Sequence, residues 1–299
     1  MACKKLITVL GATGAQGGSV VRALLQDSSF AVRAVTRDVS KPAAVKLKEA
    51  GAEVVAADMD DAKSLKEAFS GAYGAFVVTN FFDHFSKEKE VAQGKRIADL
   101  CKQLGLQHVV FSGLENVHKL TGGKLEVLHF DGKGEVEEYF RQIAVPMTSV
   151  RLAFYFENFL SVCRPQKSQD GKTYQLVLPM GDIPMDGISV ADLGPIVRSV
   201  LLNPSEYIGK DIGLSADKLT IKRYAEIMSK VIGKTIVDSK IPPEVYEKLG
   251  FPGADEMANM FRFYHMRPDR SMEVTRRLNP DLKTFEQFMV SKKEAFTDL

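Results

Sequence analysis

The sequence lacks the features that mark several large classes of protein. Its 299 residues include no tryptophan and only three cysteines, Cys3, Cys101 and Cys163, which lie far apart and form no Cys-x-x-Cys pair. This usage argues against a disulfide framework or a zinc knuckle and favours a reducing compartment. No apolar stretch approaches the roughly 18 residues that a membrane span needs. We therefore expect no membrane segment.

Charge of one sign is also missing. There are 40 Lys and Arg residues against 38 Asp and Glu residues, a net charge of +2, and no basic run exceeds two residues. This balance gives no electrostatic case for nucleic acid as a partner. The apolar residues 6–10 stop at Gly11 without the cleavage pattern of a signal peptide, so we expect the cytoplasm, with the nucleus still open.

What the sequence does have is an alternation of two periodicities over its first 150 residues. Short β-branched runs at 6–10, 31–36, 53–56, 75–79, 108–111 and 147–152 predict six strands. Helical patterns lie between them, including apolar stripes at 97, 100, 101 and 104 and at 136, 139, 140 and 143. Strands that alternate with helices predict an α/β fold, a Rossmann-type doubly wound parallel sheet.

The rhythm changes after about residue 153, where prolines punctuate short elements. Helical patterns follow at 221–232, 244–249, 254–264 and 285–296. We predict a Rossmann domain over 1–152 and a smaller, mostly helical α/β part over 153–299, from which 188–202 could return to the first domain. Phe251, Phe261 and Phe263 either present a partner surface or form the core of the smaller part.

A glycine motif, GATGAQG at residues 11–17, follows the first predicted strand and opens a predicted helix. Gly11 allows a tight turn, Gly14 lets the backbone approach a pyrophosphate, and Gly17 permits close packing of helix on strand. The helix N-terminus then offers unpaired N–H groups to phosphates. The strand before and the helix after provide the context that this motif requires.

The end of the second strand bears on the choice of cofactor. Arg37, with Lys41 nearby, suits the 2′-phosphate of NADP, whereas Asp38 pointed inward would suit the ribose diol of NAD. The order of these residues favours NADP. Asp58, Thr79, Asn80, Phe81 and Ser112 follow later strands and are candidates because ligands bind beyond the carboxyl ends of such strands. Each could equally be a simple cap or turn residue.

One constellation is conspicuously missing. Short-chain dehydrogenases use a Tyr-x-x-x-Lys pair, in which the lysine lowers the pKa of the phenol so that it exchanges a proton. None of the eight tyrosines has a lysine four residues on; at the expected place the chain has His129 and Lys133. Either His129 donates a proton, or the site binds cofactor without chemistry and Lys133 holds the nicotinamide ribose. The five histidines show no metal-ligand spacing, and no Gly-x-Ser-x-Gly occurs.

Several stretches across the whole chain resemble the NmrA-like family, in particular its vertebrate members. They are GATGAQGGSV from Gly11, SGLEN from Ser112, HFDGKGEVEEYF from His129, YFENF from Tyr155 and YEKLGFPGA from Tyr246. The resemblance implies an atypical short-chain dehydrogenase fold without dehydrogenase activity that binds NADP(H) and reports the cellular redox state. The nucleotide would then control dimerisation and the choice of partner.

The same resemblance implies a homodimer, regulatory protein partners such as argininosuccinate synthase, and a location in the cytoplasm, often perinuclear, and in the nucleus. It also implies the residues that contact the cofactor, which are Gly11, Ala12, Thr13, Gly14, Ala15, Gln16, Gly17, Arg37, Asp38, Lys41, Asp58, Met59, Thr79, Asn80, Phe81, Lys133, Tyr155, Phe156, Glu157 and Asn158.

Two alternatives to the sensor stay open. The chain could be an NADP-dependent reductase of a small carbonyl or quinone that uses Lys133 or His129 as the acid. It could also be a structural adaptor with a vestigial nucleotide site, which predicts no nucleotide binding at all.

Overall fold

The structure, a computed structural model, describes residues 4–169 and 171–299, so Cys3 lies outside the described residues. The described chain divides into two compact units. The first contains the residues up to Leu120 together with Leu128–Arg151 and Val190–Ile212. The second contains Thr121–Val127, Leu152–Ser189 and Gly213–Leu299.

The strands are β1 (Lys5–Val9), β2 (Phe30–Thr36), β3 (Glu53–Ala56), β4 (Gly74–Val77), β5 (His108–Ser112), β6 (Met147–Arg151), β7 (Phe154–Tyr155), β8 (Gln166–Lys167), β9 (Tyr174–Leu176), β10 (Met185–Ile188), β11 (Asp211–Gly213), β12 (Asp217–Leu219) and β13 (Ile236–Asp238). The α-helices are α1 (Ala15–Leu25), α2 (Pro42–Glu49), α3 (Ala62–Phe69), α4 (Lys87–Gln103), α5 (Val117–Leu120), α6 (Leu128–Gln142), α7 (Leu193–Leu202), α8 (Pro204–Tyr207), α9 (Ile221–Ile232), α10 (Pro243–Tyr246), α11 (Ala254–His265), α12 (Met272–Leu278) and α13 (Phe285–Ser291). Short 3-10 helices cover Phe81–Asp83, Phe156–Leu160, Val190–Asp192 and Lys293–Phe296.

A seven-stranded sheet forms the centre of the first unit, in the order β11-β6-β5-β4-β1-β2-β3. The pairings of β1 with β2 and β4, of β2 with β3, and of β5 with β4 and β6 are all parallel. The strand order reverses between β1 and β4, which is the switch point of a doubly wound sheet. The predicted fold class is thus confirmed. Sequence analysis missed β11 because its three residues are too short to show a period.

The predicted apolar stripes of α4 and α6 form much of the core on one side of this sheet. Ile97 and Cys101 on α4 and Val136 and Phe140 on α6 are at most 1% exposed. The two helices approach closely where Gly94 faces Val136, since a Cβ atom on Gly94 would lie 2.3 Å from a Val136 methyl carbon. Burial raises the pKa of the Cys101 thiol to about 12, in agreement with its place in the predicted apolar stripe.

The second unit is held by aromatic packing. Two three-stranded sheets, in the orders β12-β10-β7 and β13-β9-β8, lie in this unit with α9 to α13. The Tyr224 and Phe285 ring centroids are 4.6 Å apart, and Phe159 lies 5.1 Å from Phe285. Phe261 and Phe263 are buried, so these two residues belong to the core rather than to a partner surface, whereas Phe251 is exposed.

Candidate functional site

The glycine loop forms the turn that its spacing predicts. Gly11 has φ +59°, in the left-handed region, and Gly14 in an extended conformation caps α1. A Cβ atom at Gly17 would lie 2.2 Å from the Gly11 carbonyl oxygen, so only glycine lets the helix come this close to the strand end. This close approach was the role predicted for Gly17.

The N-terminus of α1 has the electrostatic character that an anion needs. Gly14 provides no side-chain cap, and no acidic residue lies in the first turn. The N–H groups of Ala15 and Gly17 belong to this turn, and the first N–H groups of an α-helix have no acceptor within the helix itself. This end of the helix has the character of an anion-binding site. Contact of residues 11 to 17 with a phosphate group stays a prediction.

The end of β2 presents basic side chains to solvent. The Arg37 side chain is 71% exposed and its guanidinium lies 3.3 Å from the Asp83 carboxylate. Asp38 is turned toward Ser40, whose backbone N–H and hydroxyl both donate to one Asp38 oxygen at 2.9 and 2.6 Å. These hydrogen bonds hold the pKa of Asp38 below its usual range. Lys41 is exposed at the start of α2.

Asp58 and Met59 follow β3 in an ordinary turn. The Asp58 carboxylate accepts the backbone N–H of Asp60 at 2.8 Å, while its own N–H donates to the Ser64 hydroxyl. The Met59 carbonyl accepts a hydrogen bond from Arg96 at 2.6 Å. Asp58 is exposed, so its turn role leaves it accessible.

A buried polar cluster lies beyond the end of β4. The Lys133 ammonium, on α6, donates to the Thr79 carbonyl at 2.9 Å, to the Thr79 hydroxyl at 2.9 Å and to Glu90 Oε1 at 2.6 Å. The Thr79 hydroxyl in turn donates to the same Glu90 oxygen at 2.7 Å. Lys133 is thus a buried lysine with a complete set of partners, not a solvated one.

This cluster also explains where β4 ends. The prediction extended the strand over 75–79, but the observed strand ends at Val77. The Thr79 carbonyl is used by Lys133 instead of a neighbouring strand. Beyond it, Asn80 is exposed and donates to Asp83 at 2.7 Å, and Phe81 is buried and begins a short 3-10 helix.

His129 lies one turn before Lys133 on α6 and is 6% exposed. Its ring centroid lies 4.8 Å from that of Phe130, 5.3 Å from Phe82 and 6.0 Å from Phe81. These contacts make His129 part of an aromatic cluster, in which Phe82 is about half exposed. Its use as a proton donor stays a hypothesis.

The four predicted cofactor residues from Tyr155 to Asn158 belong to the second unit, whereas the other predicted cofactor residues belong to the first. Phe156 is fully buried, with its ring 5.1 Å from Phe285. Glu157 accepts the Ser189 hydroxyl at 2.7 Å, and the Asn158 carbonyl accepts the backbone N–H of Cys163. The contact of Tyr155, Phe156, Glu157 and Asn158 with a nucleotide stays a prediction; for Phe156 it would have to be through the backbone.

Glu90 is the site residue that sequence analysis missed. It lies seven residues before Ile97 on α4, hence on the apolar face of that helix, and its side chain is fully buried. A carboxylate on a buried helix face was the available signal, because such a charge needs a partner.

Comparison with known proteins decides the family. The sequence profile of the NmrA-like family matches residues 3–289 of this chain. The chain belongs to the NmrA-like family. It is 30% identical over 295 residues to NmrA-like family domain-containing protein 1 of Rattus norvegicus, covering 99% of this chain and 100% of that protein. It is 34% identical over 284 residues to the NmrA-like family domain-containing oxidoreductase FrzB of a Cladobotryum species, covering 86% and 83%.

Solved members of the family share the fold. NmrA, described as a negative transcriptional regulator, superposes with a TM-score of 0.83 in its complex with NAD and 0.82 in its complex with NADP. The sequence identities are 22% and 23%, and each match covers 98% of this chain and 97% or 98% of NmrA. Because these sequence identities are low, the likeness to NmrA establishes the fold of this chain and says nothing about its ligand or activity.

Two features are missing from residues 4–169 and 171–299. No helix in these ranges has both the length and the apolar character to cross a membrane. In the same ranges, no group of three or more His, Cys, Asp or Glu side chains is arranged to hold a metal ion.

Proposed function

We propose that this protein is an NADP(H)-binding redox sensor and regulatory protein without dehydrogenase activity. The observation that carries nucleotide binding is the glycine loop, in which Gly17 seats an uncapped helix N-terminus directly on the strand end. The phosphates would lie at residues 11–17, and the 2′-phosphate near Arg37 and Lys41. NADPH is a hydride donor, and in this proposal the protein binds it without using the hydride.

The choice of NADP over NAD rests on the charges after β2. Arg37 is largely exposed and pairs with Asp83 only at the surface, so a phosphate can compete for its guanidinium. Asp38 is engaged with Ser40. The further cofactor contacts proposed here are those predicted from the sequence, namely Asp58, Met59, Thr79, Asn80, Phe81, Lys133 and the residues from Tyr155 to Asn158.

The absence of dehydrogenase activity rests on the chemistry around Lys133. The pair of tyrosine and lysine that exchanges the proton is replaced by His129 and Lys133. Lys133 uses three N–H donors on Thr79 and Glu90, and an ammonium has only three. It therefore suits a holding role better than proton exchange.

Regulation completes the proposal. The nucleotide state would control homodimerisation and the binding of regulatory proteins such as argininosuccinate synthase, in the cytoplasm and nucleus. A nucleotide can shift assembly only if it binds the two assembly states with different affinity.

Calorimetric titration of the purified chain with NADPH, NADP⁺ and NADH tests the binding site. We expect micromolar affinity for NADPH and much weaker binding of NADH. Equal affinity for NADPH and NADH would contradict the role of Arg37, and no binding of any nucleotide would favour the structural adaptor.

The second candidate is an NADP-dependent reductase of a small carbonyl or quinone that uses Lys133 or His129. The observation that favours it is the 34% identity to FrzB, which is named an oxidoreductase. Loss of the NADPH absorbance on addition of a quinone or carbonyl compound, abolished by Lys133→Met, would establish this activity. Stable absorbance with bound NADPH would support the sensor.

A further inference from the structure

The charge of Lys133 is matched by one carboxylate. The side chain of Lys133 is 11% exposed and that of Glu90 is fully buried, and the Lys133 Nζ to Glu90 Oε1 distance is 2.6 Å. Two such charges are costly to remove from water unless they are paired closely and hydrogen-bonded. The Thr79 hydroxyl bridges them, because it accepts from Lys133 and donates to Glu90.

The side-chain hydrogen bonds of Glu90 come from Lys133 and Thr79. Its Oε1 atom accepts from both Lys133 and Thr79, whereas its buried Oε2 atom has no hydrogen-bond partner among the residues that the structure describes. Most buried polar atoms have a hydrogen-bond partner, so the one-sided use of this carboxylate is unusual. The negative charge of Glu90 is thus directed to Lys133.

One of the three N–H donors of Lys133, the one that binds the Thr79 hydroxyl, can change its acceptor without breaking the ion pair with Glu90. If Lys133 turns the N–H now on the Thr79 hydroxyl toward an incoming ribose hydroxyl, Thr79 keeps its bond to Glu90. The ion pair with Glu90 and the bond to the Thr79 carbonyl would then still hold the ammonium in place. Glu90 thus fixes the cation while a single N–H changes partner.

We propose that Glu90 is a positioning residue for the cofactor: it holds the Lys133 ammonium at the carboxyl end of β4 so that Lys133 binds the nicotinamide ribose. This inference rests on the proposed function, in which Lys133 contacts that ribose. It assigns to α4 a role in recognising the cofactor, although Glu90 itself does not touch the ligand.

The test compares two ligands that differ at the ribose in question. NADPH contains the nicotinamide ribose, whereas adenosine 2′,5′-bisphosphate contains only the adenosine end. In Glu90→Gln the carboxamide keeps the volume but removes the counter-charge. We expect at least a tenfold rise in the Kd for NADPH, the scale of one charge-assisted hydrogen bond, and a change below about twofold for the bisphosphate.

Glu135→Gln is the matched control. Glu135 also joins α6 to α4, by an ion pair with Lys87 at 2.9 Å, but that pair is partly exposed. We expect wild-type affinity for both ligands. Should Glu90→Gln fail to fold, Glu90→Asp carries the test: it keeps the charge but withdraws it from Lys133, so NADPH affinity falls selectively and by less.

Four outcomes are possible. Selective weakening of NADPH in the Glu90 variants supports the inference. Unchanged NADPH affinity, or equal weakening of both ligands, would overturn it, because a structural role alone does not distinguish the two ends of the cofactor. A wild-type chain that binds neither ligand would instead overturn the proposed function.

Discussion

At the scale of single residues, the proposed choice of NADP over NAD depends on the accessible charge of Arg37. Its side chain is 71% exposed and its partner Asp83 is itself 43% exposed. Exposed ion pairs contribute about 0 to 1 kcal/mol, so the pair with Asp83 offers little resistance to a phosphate. The sequence predicted this arginine from its place after a strand, but not Asp83, which lies on a different loop.

Replacement of Arg37 by glutamine should therefore weaken NADPH binding and leave NADH binding unchanged. The loss of one charge-assisted hydrogen bond, about 1.5 to 3 kcal/mol, corresponds to roughly a 10- to 100-fold higher Kd for NADPH. Calorimetry with both nucleotides measures this, with Lys46→Gln on the exposed face of α2 as the control. Equal weakening of both nucleotides would show that Arg37 does not read the 2′-phosphate.

His108 gives the fold a dependence on pH. It is fully buried, and its Nε2 atom lies 2.8 Å from the Thr148 hydroxyl. Burial, with a smaller contribution from Lys5, lowers the pKa of His108 from 6.5 to about 4. Between these two values the unfolded chain binds a proton that the folded chain does not, so stability falls as the pH falls from 6.5 toward 4.

The free energy of unfolding, measured in urea at pH 7 and pH 5, should show this contribution. We expect His108 to account for a loss of about 1 to 2 kcal/mol over this range. In His108→Gln that part of the pH dependence should vanish, whatever the stability of the variant at pH 7. Equal pH dependence in the variant and the wild type would mean that His108 does not resist protonation in the fold.

At the scale of elements, the contact of α4 with α6 sets the place of the buried ion pair. Gly94 lies one turn after Glu90 on α4, and Val136 lies three residues after Lys133 on α6. The hydrophobic stripes of both helices were predictable from their period. The close approach of the helices at Gly94 was not predictable, because the sequence does not show which residue of another helix packs against a helical glycine.

Gly94→Ala should destabilise the chain. The added methyl group would lie 2.3 Å from a Val136 methyl carbon, and overpacking of this kind costs about 1 to 3 kcal/mol. That cost exceeds the gain of about 1 kcal/mol that alanine brings to a helix interior. Thermal or urea unfolding of the variant measures the net effect.

The Val136→Ala background supplies the control, since it removes the two methyl groups that obstruct Gly94. In that background Gly94→Ala should cost clearly less than in the wild type, with only the Val136 Cβ atom still close, at 3.0 Å from the added carbon. If Gly94→Ala destabilises both backgrounds equally, the contact with Val136 does not determine the spacing of α4 and α6.

At the scale of the whole molecule, the doubly wound parallel sheet of the first unit followed from the sequence because parallel strands buried on both faces leave continuous apolar runs. The short strands of the second unit did not, since β7 and β8 have two residues each and show no period. The glycine loop could be recognised in the sequence as a motif. The cluster of Thr79, Glu90 and Lys133 could not, because 54 residues separate its ends.

Light scattering with and without saturating NADPH measures the molar mass of the chain in solution. This measurement directly tests whether the nucleotide controls assembly. We expect that NADPH changes the fraction of homodimer, that NADH at the same concentration does not, and that the bound NADPH keeps its absorbance. An unchanged molar mass at a concentration where calorimetry shows NADPH bound would contradict control of assembly by the nucleotide.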